Sequence, residues 1–170
     1  FSWIVDGHNA IFAVEEWERL QLAGQKREAR LRLERRLEAF GRAIARQVWV
    51  VYDGNPLERN PDAVDRPHLR TIYSLPPEEA DDRIRFLAQA EVRVGRTPVV
   101  VTSDRRTLAH SLPPGIRWME VHEFLRGPAR AATVEPEKRA PSGLDDIERY
   151  WLGEAPAPRD HDEPEDENAP

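Results

Sequence analysis

The sequence contains no cysteine, which excludes disulfides, zinc–thiolate centres and thiol nucleophiles. Lysine is almost absent: Lys26 and Lys138 are the only two, and arginine carries nearly all positive charge, a usage that hints at a GC-rich genome. No apolar run is long enough to span a bilayer. No basic segment followed by an apolar one marks a secretory leader in the sequence as it stands. Nucleophile elbows, P-loops and dinucleotide-binding glycine patterns are missing as well. These absences fit a protein of the reducing cytoplasm without membrane contact.

What is present is 170 residues with 39% hydrophobic and 33% charged side chains, enough for one domain with a sizeable core. The charge is unevenly placed. Residues 154–170 hold seven acids against Arg159 alone, which accounts for the whole net charge of -6 and leaves residues 1–153 neutral overall. This tail has almost nothing apolar to bury and is expected to be disordered. Before it, residues 127–141 are rich in Pro, Ala and charge and read as a linker. Residues 142–153 follow as a terminal helix, with Ser142 as N-cap and Leu144, Ile147 and Trp151 on one stripe that docks on the body.

Residues 1–126 form the main domain. Five strand-like runs lie at 3–5, 48–52, 69–73, 98–101 and 116–119, several continuously apolar, as parallel strands covered on both faces tend to be. Helical patterns separate them at 26–46, 78–92, 104–111 and 121–126. The alternation predicts an open, doubly wound α/β sheet in three layers.

In such sheets, ligands bind beyond the carboxyl ends of the strands. Here those ends carry Asp6-Gly7-His8-Asn9, Asp53-Gly54-Asn55, Glu78-Glu79-Ala80-Asp81-Asp82 and Thr102-Ser103-Asp104. Singly, Asp6 and Asp53 read as turn residues, Asp104 as a helix cap, and Glu78 as a first-turn acid favoured by the helix macrodipole. Asp81 is different, because it shares a helical stripe with Ile84 and Ala88 and so points toward the sheet. A carboxylate held inward beside others suffers desolvation and like-charge repulsion, and a bound cation relieves both. Oxygen donors suit a hard ion, Mg²⁺ or Mn²⁺. Together the four clusters favour a metal site over four coincident caps, with Asn9 as a neutral neighbour of Asp6.

The motifs IVDGHNAIF, VVYDGNP, EEADDRIRFLAQA and VVTSD, in this order and spacing, resemble the YacP-like NYN-domain proteins, a PIN-like ribonuclease family. The likeness spans residues 2–126 and extends to the terminal helix. It implies a PIN-like fold with a parallel five-stranded sheet of order 3-2-1-4-5. It also implies metal-dependent endoribonuclease activity, by water attack that leaves 5′-phosphate and 3′-hydroxyl ends. By resemblance Asp6, Asp81 and Asp104 are the metal-binding and catalytic acids, with Asn9 as their companion. Asp82, Glu78, Asp53 and Ser103 then support them or serve as alternative ligands. Some relatives carry a longer basic segment, implicated in ribosome contact, between domain and terminal helix. Here residues 127–141 are short, proline-broken and mildly basic, which argues against that contact.

RNA as a partner needs positive charge near the site. Arg83, Arg105 and Arg106 flank the acidic motifs and are the stronger phosphate contacts, with His8 in the first loop. Residues 26–46 hold eight bases against Glu28, Glu34 and Glu38, and read first as a solvated helix face. Trp17 and Trp49 are candidates for base stacking, with Trp49 better assigned to the core. No histidine pair supports metal-free cleavage. The alternative is a non-catalytic RNA-binding domain on the same fold. A phosphoacceptor receiver is disfavoured, since it wants an acidic pair after strand one and a lysine after strand five; here stand one Asp and Trp118-Met119-Glu120. Whether the RNA is messenger, ribosomal or transfer is not encoded in these motifs.

Overall fold

A computed structural model describes residues 1–54 and 65–131. Six strands form one sheet: β1 Ser2–Asp6, β2 Val48–Tyr52, β3 Asp65–Arg66, β4 Leu69–Tyr73, β5 Pro98–Val101 and β6 Arg117–Met119. Their order is β3-β4-β2-β1-β5-β6, and every pairing is parallel except β3 with β4. The five longer strands therefore keep the 3-2-1-4-5 arrangement, and β3 is an addition to it. A two-residue strand shows no periodicity to read. It is held instead by side chains, with Arg66 donating to Glu38 at 2.6 Å and Gln47 donating to the Arg66 carbonyl at 3.1 Å.

The register sets Ile4 against Trp49 and Val100, and Val5 against Val50 and Val101. Alternate residues then face two separate cores. Trp3, Val5, Val48 and Val50 meet Leu33, Leu37 and Phe40 of α3 (Lys26–Ala43) and Phe124 of α5 (Val121–Arg126). Trp3 sits edge-on to Phe40, with ring centroids 5.1 Å apart. On the opposite face Ile4, Val51 and Val100 meet Ala80, Ile84, Leu87 and Ala88 of α4 (Ala80–Arg93), together with Leu108. These three layers bury β1 completely.

Helix boundaries depart from the periodic patterns for local reasons. Helix α3 stops at Ala43 rather than 46, because Ala45 takes a positive φ of 52° and the Arg46 N–H turns back to the Gly41 carbonyl. Helix α4 starts two residues late: Glu79 is its N-cap and exchanges a capping box with Asp82. Residues 104–111 do not form an α-helix. Asp104 captures the N–H groups of Arg106 and Thr107, which leaves only a 3-10 turn at Ala109–Ser111.

Two helices have no counterpart in the periodic patterns, α1 (Gly7–Phe12) and α2 (Glu15–Leu22). Three acids in the first turn of α2, Glu15, Glu16 and Glu18, are the available signal. The expected linker begins as structure instead, with α6 (Pro128–Ala131) and a fully buried Ala129. Proline at a first helical position has no N–H to lose there. The rest of that linker, the terminal helix at 142–153, the acidic tail and Asn55 lie outside the described residues. Among those described, no helix is long and apolar enough to cross a membrane.

Gly41 marks a close approach of α3 to the chain beneath it. A Cβ there would lie 2.3 Å from the His68 carbonyl oxygen and 2.8 Å from that of Arg46. Both are backbone atoms, so neither can swing away. Gly41→Ala should cost at least about 1–3 kcal/mol, measured by urea unfolding; an unchanged midpoint would show that α3 is free to shift.

Candidate active site

Strand β1 delivers Asp6 to the carboxyl edge of the sheet, where the side chain is only 3% exposed. Three donors satisfy it. Oδ1 accepts the Asn9 backbone N–H at 3.1 Å, while Oδ2 accepts the Asn9 amide at 2.5 Å and the Thr102 hydroxyl at 2.9 Å. Asp6 is thus the N-cap of α1 and a member of the acidic cluster at once. The glycine after it is obligatory, since a Cβ on Gly7 would lie 2.2 Å from the Tyr52 ring.

Thr102, fully buried just after β5, joins two of the acids. Its hydroxyl donates to Asp6 and accepts the Asp104 N–H at 3.1 Å. Asp104 lies in the loop beyond. The Thr107 hydroxyl and N–H, with the N–H groups of Arg106 and Leu108, hold its carboxyl below the usual range.

Asp81, in the first turn of α4, is half-buried, and no hydrogen bond contributes to its protonation balance. Burial, then repulsion from Asp6, raises its pKa to about 6; Asp104 and Asp53 add to the rise and Arg85 opposes it. One acid is therefore kept ionised while its neighbour is pushed toward neutrality, a separation common where chemistry is done.

The donor set is all oxygen, as a hard divalent ion prefers. Among the described residues, no three His, Asp or Glu side chains are grouped so as to hold a metal ion by themselves. The fit is therefore one of charge and donor type, suited to an ion that keeps much of its own water.

The other sequence candidates have partners of their own. Asp53 accepts the Ala80 N–H at 2.8 Å and so caps α4. Asp82 is bound by Arg85 at 3.1 Å. Glu78 lies ahead of the helix, accepting the Leu75 N–H at 3.3 Å with Arg83 at 3.7 Å. Ser103 donates to Glu120 at 2.6 Å. Burial alone would raise the Glu120 carboxyl, but this bond and the His122 and Glu123 N–H groups outweigh it and bring it down. Arg83 also stands over Phe86, 5.7 Å from its centroid. Arg105 and Arg106 are exposed, Arg105 lying 5.3 Å from the Trp118 ring centroid. His8 is exposed and packs on Phe12 at 4.6 Å. Trp17 is buried in the α3-side core, and Trp49 is half-buried on the α4 side.

Three further residues belong to the site although sequence alone assigns them no role: Thr102 and Arg85 stand inside the four motifs, and Trp118 lies outside them. Thr102 connects Asp6 to Asp104. Arg85 binds Ser111 and the Thr107 carbonyl, so it ties α4 to the Asp104 loop. Trp118 donates its indole N–H to the Thr102 carbonyl at 2.9 Å. Of these, Arg85 has a legible signal, standing four residues after Asp81 on one helix.

The family described as YacP-like NYN domain matches residues 3–141. The chain belongs to that family. Its members share a PIN-like nuclease fold and are RNA-related. Among solved structures, the crystal structure of Rae1 (YacP) from Bacillus subtilis is 25% identical, with a TM-score of 0.66, over 78% of this chain and 75% of that one. A crystal structure of a tryptophan-to-leucine mutant of the same Bacillus subtilis protein is also 25% identical, with a TM-score of 0.61, over 76% and 75% respectively. No curated protein matches.

The raised pKa of Asp81 fixes a sign for the metal-free protein. A carboxyl titrating near 3.9 unfolded and about 6 folded binds its proton more tightly in the native state. Its penalty is absent below pH 4, grows through the window between, and is complete above 6. Discounted for its partial exposure, it amounts to roughly 1 kcal/mol at pH 7. Asp81→Asn should stabilise the metal-free protein by about that amount at pH 7 and by little at pH 4. Urea unfolding of both proteins at the two pH values measures it, and equal increments at both would refute it.

Proposed function

We propose that this protein is a cytoplasmic, metal-dependent endoribonuclease. In this reading Asp6, Asp81 and Asp104 hold Mg²⁺ or Mn²⁺. The observation that carries it is Asp81, pushed up by burial and by three neighbouring carboxylates, with Arg85, among the described residues, opposing the rise. A divalent ion bound there supplies positive charge for the phosphodiester and lowers the pKa of its bound water. Support also comes from membership of an RNA-related family with a nuclease fold.

The chain's own residues do the positioning. Asn9 and Thr102 fix both oxygens of Asp6, and Thr107 fixes Asp104, so the acids need little reorganisation when RNA arrives. Asp53 holds the start of α4 and thereby Asp81. Water attacks phosphorus and the 3′ oxygen departs with a proton, leaving 5′-phosphate and 3′-hydroxyl ends. The 2′-hydroxyl takes no part. A second reading is a non-catalytic RNA-binding module, since among the described residues no three acids are grouped to hold an ion by themselves.

Incubation with single-stranded and structured RNA, in Mg²⁺, Mn²⁺ or chelator, separates the two. Cleavage with 5′-phosphate ends, abolished by chelator and by Asp81→Asn, is expected. Divalent ions should also raise the melting temperature of the wild type more than that of the variant. Cyclic-phosphate ends, or full activity of Asp81→Asn in chelator, would leave only the binding module.

Arg105 and Arg106 are the exposed cations nearest the Asp104 carboxylate in sequence, and in this reading they meet the RNA backbone. Arg105→Ala should weaken binding to all RNA sequences alike and reduce the slope of log affinity against log salt by about 1. An unchanged slope would show that Arg105 does not touch phosphate.

A further inference from the structure

Trp118 is the most exposed of the described tryptophans that the two cores do not claim. It is 38% exposed on the edge strand β6, whereas Trp3 and Trp17 are 0% and 6% exposed. Its single polar atom is already used, because the indole N–H donates to the Thr102 carbonyl at 2.9 Å. What remains partly open is the aromatic surface, beside the Arg105 guanidinium.

That surface is tied to the acidic cluster. The same Thr102 gives its hydroxyl to Asp6 and takes the Asp104 N–H. The register carries Trp118 across to Val100 and Val100 to Ile4, so the indole stands on the α4 face of the sheet, the face to which Asp6 also belongs two residues beyond Ile4. The guanidinium of Arg105 lies 5.3 Å from the ring centroid, and Arg106 follows it, exposed. An aromatic ring beside exposed cations suits a flat, π-rich group on a polyanion better than an aliphatic side chain.

Resting on the RNA-cleaving reading, we propose that Trp118 and Arg105 form a stacking platform for an unpaired nucleobase adjacent to the phosphate that is cut. Such a base must be unpaired, because a base inside a duplex has no free face to offer. The base stacks against the exposed indole while its flanking phosphates meet Arg105 and Arg106.

The test measures binding in chelator, so that cleavage plays no part. Fluorescence anisotropy of the full chain is recorded with a labelled single-stranded 12-nucleotide RNA, and with copies carrying an abasic site at each position in turn. One abasic position should weaken the wild type by about five-fold or more, the range that one stacked base supplies. Trp118→Leu should bind the intact RNA weaker by a similar factor and be indifferent to that abasic position. Trp118→Phe, which also lacks the N–H but keeps a ring, should retain most of the affinity and the abasic signature. Duplex RNA should be bound equally by all three proteins. A flat abasic scan in the wild type, or equal affinities of Trp118→Leu and wild type for intact RNA, overturns the platform. Neither result touches the nuclease reading, which is decided by cleavage in Mn²⁺. An intact abasic signature without any cleavage keeps Trp118 as a base-stacking surface but sinks the nuclease reading and, with it, the placement beside a cut phosphate.

Discussion

A carboxylate buried at the end of a central strand must be fully hydrogen-bonded or it destabilises everything around it. Asp6 sits in that position, between β2 and β5, and the surrounding structure follows from satisfying it. Asn9 provides two of its donors, which obliges the chain to turn into α1 immediately after the strand. Thr102 provides the third, which fixes where β5 ends and sends Asp104 out from the same point. Gly7 is forced by the Tyr52 ring pressed against that turn. The residues that look like a polar turn in sequence are a closely packed, fully hydrogen-bonded junction at the end of β1.

Asp81 is the counterpoint. Asp6 and Asp104 are each stabilised by nearby donors, whereas among the described residues no donor is seen on Asp81, which meets repulsion from both, with Arg85 opposing. Arg85 is itself divided among Asp82, Ser111 and the Thr107 carbonyl, so its charge is shared and its main effect is to hold the Asp104 loop against α4. The site therefore keeps a local excess of negative charge at one half-buried side chain. That imbalance is the physical basis for inferring a cation and, through it, a phosphate substrate.

The sheet is legible in the sequence because its strands are continuous apolar runs between recognisable turns, and the acids after them stand out by position. Asp81 is legible by helical spacing against Ile84 and Ala88. What cannot be read depends on contacts across the fold. The strand at Asp65–Arg66 exists through Glu38 and Gln47, neither of them near in sequence. The apparent helix at 104–111 is lost because the carboxylate expected to cap it binds the following N–H groups in a tighter turn. Thr102 stands in a motif and Trp118 does not, but neither shows its role in sequence: the role arises only once β5 lies between β1 and β6.

The arginine-rich helix α3 shows why charge counts mislead about RNA. Arg32 is paired with Glu28 at 2.9 Å and with Glu16, and Glu38 is taken by Arg66. Arg36 reaches the Leu125 carbonyl at 2.7 Å, and burial, followed by repulsion from Arg130, lowers its pKa. Much of this helix's charge thus joins α2, β3 and α5 to the body, on the face of the sheet opposite α4. Beside the Asp104 loop, by contrast, Arg105 and Arg106 stand exposed. Phosphate recognition depends on charge that is free to leave water for a ligand, not on charge already spent within the fold. The arginines of α3 are thus largely engaged within the domain, whereas the cations beside Asp104 remain exposed.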